Sequence, residues 1–169
     1  MATTIHQQQT AIENIQLYGI HLHGQCPEKP GDHGYIYTVG MTKYGLPELI
    51  CFGLPHNRMA GYFNYMFQEM YEGRISKDIK RDDDFWTFST YLDDVDTFVL
   101  RRHAELVFDV FKRPHIPKFK QVVWPDNKGY YPWEKQCSAE IKARQPYFGT
   151  RTKRDKDHTP DQDQSLSVG

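Results

Sequence analysis

The most restrictive feature of the sequence is one long amphipathic segment. Met59, Phe63, Met66 and Met70 recur at three- and four-residue steps, Tyr62 and Phe67 widen the stripe, and Gly73 closes it. That spacing predicts a helix with one apolar face, and such a face must be buried against something. A Met-and-aromatic stripe is also compatible with a cofactor box, but core packing is the plainer reading. The partners on offer are short runs. Tyr35-Ile-Tyr-Thr-Val39 is β-branched and aromatic throughout, and Glu48 to Phe52 follows a Gly-Leu-Pro turn at 45–47.

Further strands are expected at Ile20 to His23, at Phe119 to Trp124, and over the alternation of Trp86, Phe88 and Leu92 with Thr87, Ser89 and Tyr91; Thr97 to Leu100 reads as the neighbour of the last. Two more helices are expected. In the first, Thr10 and Glu13 have the form of a capping box, with Thr4 and Gln7 offering an earlier start and Gly19 a left-handed stop. The second carries apolar residues at 106, 107, 110 and 111 and stops before Pro114. Gly53 to His56, Arg74 to Asp84, Cys26 to Gly34 and Pro125 to Gly129 read as loops or turns. Strands mixed with about three helices, without regular βαβ alternation, give a single α+β domain built on a mainly antiparallel mixed sheet.

The chain has 169 residues, enough for one domain that needs no metal or disulfide staple. Residues 1–149 are expected to form that domain. Residues 150–169 hold almost nothing apolar and read as a disordered polar tail. Formal charge is −1 and the pI is near 6.7, which disfavours a nucleic-acid coat or a polybasic membrane binder. Asp82, Asp83, Asp84, Asp93, Asp94 and Asp96 are nevertheless followed by Arg101, Arg102, Lys112, Arg113, Lys118 and Lys120, as two faces that attract each other would be. Three scattered cysteines, no signal-like N-terminus and no long apolar run point to the cytoplasm and away from a membrane.

Four pieces of sequence belong together: Gly34-Tyr-Ile-Tyr-Thr-Val-Gly40, Pro47-Glu-Leu-Ile-Cys-Phe-Gly-Leu54, Gln121-Val-Val-Trp-Pro-Asp-Asn-Lys-Gly-Tyr-Tyr-Pro-Trp-Glu134 and Gln145-Pro-Tyr-Phe-Gly149. In order and spacing they resemble the bacterial domain-of-unknown-function family 4262 over roughly residues 11 to 149. The resemblance implies no particular activity. It places a His before the Pro-Glu-Leu piece in relatives, where this chain has Leu46, so any role of that His is lost or relocated here.

Several constellations suggest chemistry. Trp-Pro-Asp at 124–126 is similar to the acid loop of tyrosine phosphatases, but six residues separate Cys137 from Arg144, not the five a phosphate cradle needs. His21 and His23 would share one strand face near Cys26 and His33, as two metal ligands could; a polar face running into a loop is the plainer reading, and no metal or cofactor is assigned. Asp94 and Asp96 could likewise hold Mg²⁺ or be solvated edge carboxylates. Lys112 to Lys120 could grip phosphates around Phe119, though charged strand edges that resist aggregation account for it, and nucleic acid is not the expected partner.

The richest segment is Gln121 to Glu134. There Asp126, Glu134, Gln121 and Gln145 accompany Trp124, Trp133 and Tyr147, and rings with a few polar groups make ligand pockets. Tyr37 and Glu48 would join if their strands adjoin. The expected function is therefore a module binding a small molecule or protein near the Trp-Pro-Asp turn, through Tyr37, Glu48, Gln121, Trp124, Asp126, Trp133, Glu134 and Gln145. The alternatives are a hydrolase or metal-dependent enzyme using scattered His and Asp residues, and an accessory or host-interference protein acting through its tail.

Overall fold

In the computed structural model, which describes residues 3–27, 34–112 and 114–152, ten elements form a six-stranded mixed sheet with helices on both faces. They run α1 (Ile5–Tyr18), β1 (His21–Gln25), β2 (Tyr35–Val39), β3 (Glu48–Phe52), α2 (His56–Tyr71), β4 (Arg81–Asp82), β5 (Thr90–Val95), α3 (Glu105–Val110), β6 (Phe119–Val123) and α4 (Ala139–Arg144). A 3₁₀ turn, Met41–Tyr44, links β2 to β3. The sheet order is β1-β2-β3-β6-β5-β4, and only β3 and β6 pair in parallel. The single α+β domain expected from the pattern is what forms.

Period-two alternation sorts the strands onto two dry faces. Ile36, Leu49, Cys51, Leu92 and Val122 meet the Met59–Phe63–Met66–Met70 stripe of α2, so that stripe is core. Tyr37, Val39, Ile50, Phe52, Val95 and Phe119 face α1 and α3. Beyond α3 the second face is covered by the chain after β6, a turn at Asp126–Tyr130 and a strap of residues 145–152 (Val95 pairs with Gly149).

The boundaries differ from expectation where side chains compete with the backbone. The cap of α1 is Thr4, whose hydroxyl accepts from Gln7 N–H while the Gln7 amide accepts from Thr4 N–H, so Thr10 lies inside the helix. Thr97 to Leu100 is a turn, because the Asp96 carboxylate takes the Phe98 N–H at 2.9 Å and bends the chain. The alternation over 86–92 becomes strand only from Thr90, since Trp86 stacks on Tyr62 of α2 at 4.5 Å rather than joining the sheet. The two-residue β4 and the six-residue α4, a fourth helix, carry no apolar period long enough to read. Gly53 is held at φ 85° against the Arg144 carbonyl, where a Cβ would sit 2.7 Å from that oxygen.

Thr150 and Arg151, assigned to the tail on composition, are bonded to β5: Thr150 N–H donates to the Asp94 carbonyl at 2.9 Å, and Arg151 pairs with Asp93. The remaining tail, 153–169, lies outside the described residues, as does most of the 26–34 loop.

Candidate functional site

Asp93 and Tyr91 sit two residues apart on β5 and project from the same face. The neighbouring strand puts Gln121 directly beside Asp93. Across this corner comes the strap, held by two side-chain amides acting as strand surrogates. Gln121 donates to the Pro146 carbonyl at 2.7 Å and accepts from Phe148 N–H at 2.8 Å. Gln145 accepts from Trp124 N–H at 2.9 Å and donates to the Trp124 carbonyl at 2.8 Å. Each amide spends a donor and an acceptor on backbone, so the strap is registered without a full strand.

This registration delivers Arg151 to a box of rings. Its guanidinium lies 4.1 Å from the Trp133 ring centre and 4.3 Å from that of Tyr91, two planes set at 77° to each other. Tyr131 backs Trp133, stacked at 5.1 Å and 7°, and Tyr147 meets its edge. Asp93 closes the box: Arg151 Nε donates to Oδ2 at 2.8 Å and Nη2 to Oδ1 at 3.2 Å. The Tyr147 hydroxyl donates to Oδ2 at 2.6 Å. Burial, then the hydrogen bond to Asp93 and that residue's charge, raises the Tyr147 pKa, which keeps the hydroxyl a donor. The side chains of Arg151 and Asp93 are only 13% and 8% exposed, so water screens the pair poorly. Aromatic walls and a forked acceptor are the groups that suit a planar delocalised cation, here the guanidinium of Arg151. The Trp133 Nε1–H, buried in one wall, makes no hydrogen bond.

The expected site residues fall into three groups. Trp133 and Gln121 are at the box, one as wall and one as anchor of the strap. Asp126, Glu134 and Gln145 lie on the segments that flank it, whereas the Trp124 ring packs into the α2-side core; the polar atoms of all four hold the chain. The Trp124 indole N–H donates to the Phe52 carbonyl at 2.8 Å, and Glu134 accepts from Tyr131 N–H. Asp126 is opposed by burial, yet the N–H groups of Tyr130, Ser138 and Lys128 hold its carboxyl below the usual range. Tyr37 and Glu48 are elsewhere: Ile50 separates Tyr37 from Gln121 along their row of the sheet. Glu48, fully buried, accepts from Thr38 and Thr42 hydroxyls and from Gly40 and Thr42 N–H groups, clamping the 3₁₀ turn. Burial raises its pKa against those bonds. Sequence reasoning missed Asp93, Tyr91 and Arg151. Period two on β5 would have paired the first two; nothing local points to the third.

The other constellations resolve simply. Cys137 is buried, which pushes its thiol up to about 11, and Arg144 donates to the Gly53 carbonyl, so no phosphate cradle forms. Asp94 holds Lys80 and Lys120, and Asp96 caps its turn, leaving neither for Mg²⁺. Lys120 is buried on Asp94 rather than offered to a phosphate, while Arg113 is outside the described residues. Among the described residues no cluster of three or more His, Cys, Asp or Glu could hold a metal, and no helix is long and apolar enough to cross a membrane. His33 is outside the described residues. Asp82 is buried beside Tyr62 with Oδ2 in no hydrogen bond, and burial raises its pKa.

Fold and box together define a one-domain α+β protein in which an arginine of the strap fills a box of aromatic rings closed by a buried carboxylate. The chain belongs to a domain-of-unknown-function family, DUF4262, whose profile matches residues 14–138. That span contains the box walls Tyr91, Tyr131 and Trp133 and the acceptor Asp93, but not Tyr147 or Arg151. No curated protein and no solved structure matches the chain.

Proposed function

We propose that this protein is a binding module whose site is the Asp93 box, and that its ligand is a small molecule or partner segment presenting a guanidinium. The supporting observation is the seating of Arg151 itself, bidentate on a buried carboxylate and in contact with two ring faces. A guanidinium suits that combination better than an ammonium, being planar, forked and weakly hydrated. In the free protein Arg151 is the resident occupant, tethered at an effective concentration of about millimolar. A ligand therefore needs contacts beyond the cation to displace it, which favours an extended segment that also replaces the strap. The free thiols of Cys26, Cys51 and Cys137 suit a reducing cytoplasm as the place of action.

The test removes the occupant. An Arg151→Ala chain should be raised in Tm by arginine at tens of millimolar, with glycine as control, whereas the wild type should not respond. An Arg151→Ala chain that remains folded and ignores arginine would end this reading.

A further inference from the structure

We propose that His21 and His23 form a binding site for a borderline divalent transition-metal ion such as Zn²⁺, open to a third ligand, with Asn14 orienting one ring. Strand geometry puts the two imidazoles on one face of β1, which is an edge strand of the sheet. His21 Nε2 and His23 Nδ1 face each other at 3.4 Å, with ring centres 5.7 Å apart. That separation is long for an N–H···N hydrogen bond, which prefers about 2.7–3.2 Å. It equals the edge of a zinc tetrahedron, since two nitrogens bound at about 2.05 Å lie about 3.4 Å apart. The two rings thus share a long hydrogen bond, and its N···N separation is also the one that a shared ion would set.

The second contact on His21 fixes what binding requires. Asn14 Nδ2 lies 2.9 Å from His21 Nδ1. With the amide nitrogen there, Nδ1 is the acceptor and the ring proton sits on Nε2, where the metal must go. A half turn of the amide presents its oxygen instead, takes an Nδ1–H, and frees Nε2. The terminal torsion of Asn is soft enough for that turn. The ion then has an oxygen–histidine–metal arrangement of the kind that tunes metal sites. Both rings are only partly buried, so the remaining coordination positions go to water or to a donor from a ligand or partner. Burial, then the neighbouring His23, lowers His21 to about 4, and burial lowers His23. Neutral rings at pH 7 release no proton when the metal arrives.

The experiment is a titration of the full chain with ZnCl₂ by calorimetry at pH 7, with circular dichroism to confirm the fold of each variant. One ion per chain is expected, its affinity falling at least about tenfold in His21→Ala and in His23→Ala. Asn14→Asp should tighten it several-fold, because a carboxylate accepts the Nδ1–H without the turn, and this gain does not depend on the alanine variants folding. Undiminished affinity in both histidine variants, or no difference between Asn14→Asp and wild type, would overturn the site.

Discussion

Two buried carboxylates on this sheet are satisfied in opposite ways. Glu48 takes its four hydrogen bonds from Thr38, Gly40 and Thr42, hydroxyls and amides that lie within ten residues of it. None of those donors can leave without dismantling the β2–β3 connection. Asp93 is satisfied by Arg151 and Tyr147, which arrive 58 and 54 residues later on a strap held by side-chain amides. Its partners depart if the strap departs. A carboxylate clamped by its own neighbourhood is architecture, while one neutralised by a cation from a distant strap is where the proposed ligand would enter.

The contrast makes graded predictions. Glu48→Ala leaves several buried donors without an acceptor and should cost about 4 kcal/mol, or solubility altogether, in urea unfolding. Asp93→Ala should cost about 3 kcal/mol, because it strands a buried guanidinium. The sharper comparison is with the double variant Asp93→Ala/Arg151→Ala, expected to be less destabilised than the sum of the single changes by about 1–2 kcal/mol. Additive costs would mean that the two side chains do not act as a pair. Gln145→Ala should cost about 2 kcal/mol, by orphaning both backbone groups of Trp124.

Asp82 supplies the third case, a buried carboxylate with no cation, whose Oδ1 accepts from Asp84 N–H at 3.3 Å while Oδ2 has no partner. Its raised folded pKa means that the native state holds the proton more tightly than the unfolded chain, so stability falls as pH rises through the folded value. Asp82→Asn should therefore gain about 1 kcal/mol over wild type at pH 7. That gain should vanish below the ordinary carboxylate range, as thermal melts across pH would show.

What the sequence disclosed follows the same divide between local and distant partners. The runs at 35–39 and 48–52 are strands with the expected ends, because β-branched and aromatic residues bounded by glycine and proline determine them locally. The Met stripe of α2 is core for a similarly local reason. Thr97 to Leu100 failed because one carboxylate, Asp96, outweighed a weak strand pattern. Trp133 was legible as part of an aromatic and polar segment, and Asp93 could have been found from its spacing to Tyr91. Arg151 could not. It stands at the head of a polar tail, and only the pairing of strands far apart in sequence brings Asp93 to it.

The central claim, that the box binds a cation independently of the strap that now fills it, is tested most directly on Trp133. In an Arg151→Ala chain titrated with arginine, the indole N–H resonance of Trp133 should shift saturably by nuclear magnetic resonance. Those of Trp86 and Trp124 should hold still, and Asp93→Asn on the same background should abolish the response. An unmoved Trp133 signal, or equal drift of all three indoles, would contradict the account and leave Arg151 as a structural rivet alone.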